Sequence, residues 1–244
     1  MFALSTSILF SCSKDEEAAT PAPTPTPTPT TPTGNPTGNT SPSFIGADAS
    51  LWAIKSLSVT TIPGMPPVTT TVGLGVAAFN NGTTTMVDAG TVKLNTTVLT
   101  KNANNSYNNT PGTSNPTGID FSSGVTWDVT GNNGFSAFTE VVTLNFPTVS
   151  EITSSTTITK SSGYTLTVNT VSGADSVMFL VGSVTKTLAG NATSCTFSSS
   201  ELSGLNTGST VIQVAAYTFT NKDISGKDTY FGNETVQSKT ATVN

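Results

Sequence analysis

The sequence predicts an all-β protein: two antiparallel β-sandwich domains standing behind a disordered Thr/Pro stalk. Three observations carry this. From Phe44 onward apolar residues recur with period 2, and no window sustains the i, i+3, i+4, i+7 spacing of an amphipathic helix. Only 9% of residues are charged, against roughly 25% in an average globular protein. Thr, Ser, Asn and Gly must therefore cover the surface, and these are strand and turn formers rather than helix formers. Finally, residues 18–43 are Pro/Thr-rich and then Gly/Asn/Thr-rich, a composition that forms neither helix nor sheet.

The elements follow in chain order. Met1 to Phe10 is apolar but shorter than the ~20 residues a membrane-spanning helix needs, and it fits the apolar region of a secretory signal over residues 1–11. No basic residue precedes it, so the reading places the missing basic part upstream of Met1. Residues 12–43 carry Cys12, the acidic run Ser13-Lys14-Asp15-Glu16-Glu17 and the stalk. In polyproline II geometry residues 18–43 reach at most on the order of 80 Å.

The first folded domain is expected over residues 44–148. Val68, Thr70, Val72, Leu74, Val76 and Ala78 share one strand face, and Asn81-Gly82 signals a tight hairpin after it. Val92, Leu94, Thr96 and Val98 read as one strand. Val125, Trp127 and Val129 make another, and Phe138, Val142, Leu144 and Phe146 a further one with Glu140 on its apolar face. Lys101 to Gly118 is Asn-, Gly- and Pro-rich and reads as a long surface loop.

The second domain is expected over residues 149–244, after a junction near Pro147 to Ser155. Its strands centre on Tyr164, Leu166 and Val168; on Val177, Phe179 and Val181; on Ile212, Val214 and Ala216; and on Glu234 to Val243. Cys195 alternates in phase with Phe197, which predicts a buried thiol acting as a small apolar group.

Composition also excludes chemistry. The net charge is −5, all nine cations are lysines, and there is no His or Arg. No basic stripe is available for nucleic acid. No Ser-His-Asp triad, His-ligated zinc or Arg clamp can be built, and two cysteines cannot make a Cys-rich metal site. No cofactor is expected. A glycosidase would need two carboxylates flanking a bond, and nothing in the spacing of the eleven acids from Asp48 to Glu234 selects a pair. The chain is therefore read as non-enzymatic. Asn221 to Asp228 is an oxygen-rich hairpin tip, a plain polar turn or a calcium loop, with Lys222 and Lys227 opposing the cation. Trp52, Trp127, Tyr107 and Tyr230 are the candidates for an aromatic sugar platform. Trp52 and Trp127 fit core positions, whereas Tyr107 in the Asn-rich loop is the candidate ligand contact.

Leu9-Phe10-Ser11-Cys12 resembles the bacterial lipobox, and Ser13-Lys14-Asp15-Glu16-Glu17 resembles the acidic export signal of surface lipoproteins in Bacteroidota. The resemblance implies cleavage before Cys12, lipidation of its thiol, anchoring in the outer membrane and display towards the cell exterior; several acyl chains at about 0.8 kcal/mol per buried CH₂ anchor firmly. Asp175-Ser176-Val177 resembles the O-glycosylation motif of the same group, which makes Ser176 a candidate acceptor. Leu205 to Ala216 and Asp175 to Gly182 resemble the F-strand corner and C strand of fibronectin type III and other immunoglobulin-like domains, which implies that fold for residues 149–244 and nothing about activity. Ile212 stands where the family's corner tyrosine would be. The expected role is a surface-displayed module that binds a glycan or another surface protein. The alternative is a structural subunit that assembles by exchanging β-strands.

Overall fold

In a computed structural model, the described residues are 46–60, 64, 68–81 and 83–244. Residues 1–11, read above as a secretory signal, Cys12, the acidic run Ser13 to Glu17 and the Thr/Pro-rich residues 18–43 lie outside them. The described chain is almost entirely β. In its first half the strands are β1 (Ala49–Thr60), β2 (Val68–Phe79), β3 (Val92–Leu94), β4 (Thr97–Val98), β5 (Thr100–Lys101), β6 (Tyr107–Asn108), β7 (Val125–Val129) and β8 (Phe138–Val142). Then come β9 (Thr148–Val149), β10 (Thr157–Ile158), β11 (Tyr164–Thr167), β12 (Val171–Ser172), β13 (Ser176–Val181), β14 (Val184–Ala189) and β15 (Ser194–Phe197). A one-turn helix, Ser199–Leu202, precedes the long pair β16 (Gly208–Asp223) and β17 (Asp228–Val243).

That last hairpin organises the molecule. Each of its strands has 16 residues, about 53 Å at 3.3 Å per residue, well beyond the usual 3–10 residues. Its turn is tight: Ile224 and Lys227 exchange backbone hydrogen bonds, and Ser225 and Gly226 both take positive φ, as a two-residue type I′ turn requires. Asp223 Oδ1 accepts from the Gly226 N–H at 2.8 Å.

Near its open end the hairpin joins β13 and β14, giving the ladder β14-β13-β16-β17, with β10 parallel to β17. The β11–β15 pair faces this ladder across one core of Leu166, Val177, Phe179, Cys195, Phe197, Val214 and their neighbours. Cys195 is buried, as its phase predicts. Near the turn, β17 instead takes β1 as a parallel partner from Ala49↔Thr229 to Ser58↔Ser238, and β1 pairs antiparallel with β2. The opposite layer here is the four-stranded sheet β4-β3-β7-β8. Between them lies a second core containing Leu51, Phe79, Leu94, Trp127, Val129 and Phe231.

Two cores therefore form, roughly where two domains were expected, but they share one nine-stranded sheet. The all-β, sandwich-like class is as expected; the sharing of one sheet is the feature that the sequence did not show. The last strand, β17, is long enough to serve both cores, and the β1–β17 pair is parallel.

Three local readings are corrected. Residues 92–98 are a hairpin rather than one strand. Asn95 has φ +53°, and its side chain donates to the Asp120 and Gly124 carbonyls and accepts from the Thr126 N–H. The turn at Asn81 (φ +51°) exists, but the following strand, β3, enters the other sheet, so no hairpin forms with β2. The apolar strand at Phe138 stops at Val142.

Leu144 to Pro147 instead crosses the shared sheet between the cores. Asn233 Nδ2 donates to the Leu144 carbonyl at 2.7 Å, and Thr218 Oγ1 donates to the Asn145 carbonyl at 2.9 Å. Both side chains are buried, as are Thr235 and Gln237 farther along β17. A buried carbonyl that loses its donor costs about 1–3 kcal/mol. Asn233→Ala is expected to lower stability by about that amount in denaturant melts followed by tryptophan fluorescence and far-UV circular dichroism, without abolishing the fold. A change below about 0.3 kcal/mol would show that this crossing is not held by Asn233.

Candidate functional site

Beside the lower end of β1 and β2, the loop 117–122 stands away from the sheet and leaves an open cleft of about 480 Å³. The loop is fixed by backbone contact. The Gly73 N–H donates to the Thr117 carbonyl at 2.8 Å, and the Ile119 N–H donates to the Gly73 carbonyl at 2.9 Å. A Cβ on Gly73 would stand 1.8 Å from the Ile119 carbonyl oxygen, so only glycine allows the loop to approach β2 this closely. Asn109 braces the same edge: its Oδ1 accepts from the Gly75 N–H at 2.5 Å and its Nδ2 donates to the Gly73 carbonyl at 3.3 Å.

The lining is mixed. Thr71, Thr117 and Ser122 bring hydroxyls, Asp120 a carboxylate and Lys55 an ammonium, while Ile119 and Phe121 bring apolar surface. Lys55 is the cross-strand partner of Gly73, and its Nζ lies 4.2 Å from the centre of the Phe146 ring. Ser122 donates to Asp120 twice, from its hydroxyl at 2.7 Å and its N–H at 2.9 Å. These two bonds, with the Lys55 charge in support, hold the exposed carboxyl below its ordinary range. The cleft thus presents a fixed anion, a nearby cation and several hydroxyls over an apolar floor. That set can hydrogen-bond a polyhydroxylated ligand.

The residues singled out in the sequence fall elsewhere. Tyr107 is not a surface contact. It is 1% exposed in β6, where its hydroxyl donates towards Asp88 Oδ1 (2.8 Å) or the Gly90 carbonyl (3.0 Å) and accepts from the Ala89 N–H (2.9 Å). Burial and the neighbouring carboxylate raise its pKa to about 12. The reason is that β6 pairs with β2, which draws the middle of the Asn-rich loop into the second core. Ser176 opens β13, 4% exposed between Tyr217 and Ala189, so the folded chain does not offer this hydroxyl to a modifying enzyme. Trp127 is fully buried, as its alternation predicts. Trp52 and Tyr230 are half-buried on the outer face of the shared sheet, together with half-buried Phe219 and fully packed Tyr217, neither of which the sequence singled out. The polar tip is tied down by lysine: Lys227 pairs with Asp48 at 3.6 Å and Lys222 with Glu140.

Among the described residues, no helix is long and apolar enough to cross a membrane. Comparisons with family models, curated proteins and solved structures gave no significant match.

Two predictions follow from this geometry. Gly73→Ala is expected to displace loop 117–122 and make it susceptible to limited proteolysis, while the strand signal in far-UV circular dichroism is kept; an unchanged cleavage pattern would count against the close approach. Asp88 has its pKa lowered to about 2, chiefly by the bond from Lys101, with help from Gly90 N–H and the Tyr107 hydroxyl. A depressed carboxyl contributes stability that is present above its unfolded value near 4 and is lost as the pH falls towards 2. Melts between pH 5 and 2 should therefore show a smaller acid-induced loss in Asp88→Asn than in the wild type.

Proposed function

We propose that this chain is a lipid-anchored, non-catalytic module displayed on the outer face of the outer membrane, and that it binds glycan through the cleft between β2 and loop 117–122. The observation that carries the reading is the lining of that cleft. Sugars alternate hydroxyl groups with C–H faces, and the cleft alternates Thr71, Thr117, Ser122 and Asp120 with Ile119 and Phe121. Specific small-molecule sites share this form, an apolar surface with a few fixed polar groups. Rigidity supports it as well, because the loop is bonded to β2 before any ligand arrives and little ordering entropy is lost on binding. The anchor reading rests on the lipobox-like Leu9-Phe10-Ser11-Cys12, the acidic residues Ser13 to Glu17 and the stalk to residue 43, which together make a tethered spacer.

A glycan array probed with the full-length chain, alongside Lys55→Ala and Ser122→Ala, tests the binding role. Retention of a defined glycan class, weakened at least tenfold by either substitution, is the expected result. No retained glycan would remove the reading, and concentration-dependent polymers in sedimentation would favour strand exchange between subunits instead. The anchor is tested separately: Cys12→Ser should abolish labelling by a palmitate analogue and move the chain out of the membrane fraction. Equal labelling of wild type and variant would refute lipidation at this position.

A further inference from the structure

Where the chain enters β1, several segments meet around Lys227. This lysine closes the hairpin turn directly before β17, and its Nζ donates to Asn81 Oδ1. Asn81 stands in the turn that follows β2. Asp48, directly before β1, places its Oδ1 3.6 Å from the same Nζ. That separation is long for a hydrogen bond, as it often is between catalytic groups before reaction. Phe135 sets its buried ring 5.6 Å from Nζ on another side. The side chains of Lys227 and Asp48 are only 23% and 17% exposed, so bulk water reaches neither freely.

Main-chain bonds hold these groups in place. The Asp48 carbonyl accepts from the N–H groups of Asn80 and Asn81 at 2.6 and 3.2 Å, and the Asp48 N–H donates to the Asp228 carbonyl at 2.8 Å. Asp48 Oδ2 accepts from the Asp228 N–H at 2.8 Å, which leaves Oδ1 for Lys227. The Lys227 N–H donates back across the turn to the Ile224 carbonyl at 3.2 Å. An amine, an amide and a carboxylate are thus kept side by side by a rigid frame.

Lys101, Lys186, Lys222 and Lys239 pair with carboxylates, whose carbon is deactivated by charge and carries no leaving group. Lys227 also reaches an amide. The amide carbon lies one C=O bond, about 1.23 Å, beyond the oxygen that Nζ touches, and the amide nitrogen can leave as ammonia. A lysine becomes a nucleophile when an adjacent base takes its proton. We infer that Lys227 and Asn81 join in an intramolecular isopeptide bond, with Asp48 as the proton carrier. Asp48 takes one proton from the ammonium. The lone pair left on Nζ forms the Nζ–Cγ bond, and the carbonyl π pair moves onto Oδ1. As that pair returns, the Cγ–Nδ2 bond breaks and Asp48 hands its proton to the departing nitrogen. Of the three hydrogens on Nζ, one stays in the new amide, and the other two leave with Nδ2 as ammonium. The step balances without an external oxidant or reductant.

The position gives the bond a use. β1 lies between β2 and β17, and the bond joins the turn after β2 to the residue before β17. Tension on the chain ahead of Asp48 then cannot splay the two flanking strands apart at the end where β1 begins. The joined residues are 146 positions apart, so the bond also restricts the unfolded chain, as a disulfide of that span would. The cleft takes no part in this.

Peptide mapping of the purified full-length chain by mass spectrometry tests the bond. Trypsin does not cut at an acylated lysine, so the expected major product is a branched peptide of residues 56–93 and 223–239, lighter than their sum by one ammonia. Lys227→Arg keeps the charge at the turn but offers no amine, and should give linear peptides only. Asp48→Asn still has an oxygen to accept from the Asp228 N–H, and should lower the yield of the branched peptide at least tenfold. Circular dichroism spectra matching the wild type show that both variants fold. Linear peptides from folded wild-type protein, with Asn81 either intact or hydrolysed, would overturn the bond. A wild-type yield in Asp48→Asn would overturn the role of Asp48.

Discussion

The pairing of β17 with β1 is the interaction on which the rest of the structure depends. An unpaired strand edge exposes a row of N–H and C=O groups that must find partners. The hairpin of β16 and β17 extends beyond the core that its open end covers, and at its turn end β17 would expose such an edge. β1 fills it for ten residues of register, from Ala49↔Thr229 to Ser58↔Ser238. β2 then adds to β1, and the four-stranded sheet closes over both. The core around Leu51 and Trp127 exists because the end of the chain provides a strand on which to build it.

This arrangement creates a seam, and the residue types along β17 show how it is managed. Its inward face is apolar at Phe231, in the core with Trp127, and again at Ala241 and Val243, in the core with Phe179. Between them stand Asn233, Thr235 and Gln237, all buried. Buried polar groups need partners, and the crossing strap Leu144 to Pro147 supplies carbonyls to Asn233 and, from β16, to Thr218. A polar seam of this kind fixes the strap in one place more firmly than an apolar one would, since hydrogen bonds have direction and dispersion does not. The same shared sheet separates two faces. Lys55 and Gly73 face the cleft side, whereas Trp52 and Glu234, in phase opposite to them, face outward.

Glycine acts on both faces through closeness of approach. At Gly73 the absence of a Cβ admits the backbone of Ile119, and at Gly232 it admits the ring of Trp52. In each case a side chain of any size would hold apart the groups that form the surface. The aromatic face would lose its central ring and the cleft its wall.

Period-2 alternation fixed much of the local structure from the residues alone. It placed Trp127, Cys195, Phe179 and Val214 inside, because the pleat sends alternate side chains to opposite faces whatever the partner strand. The Ser-, Thr- and Asn-rich composition determined the β class, and the lack of His and Arg restricted the chemistry available. Pairing was not legible, because it is a choice among distant partners that the period of one strand does not encode. Hence the parallel β1–β17 ladder, the burial of Tyr107 by β6, the burial of Ser176 between Tyr217 and Ala189, and the meeting of Trp52 with Gly232 across 180 residues of chain belong to the tertiary structure alone. Local sequence says which way a side chain points relative to its neighbours; only the completed sheet says what it points at.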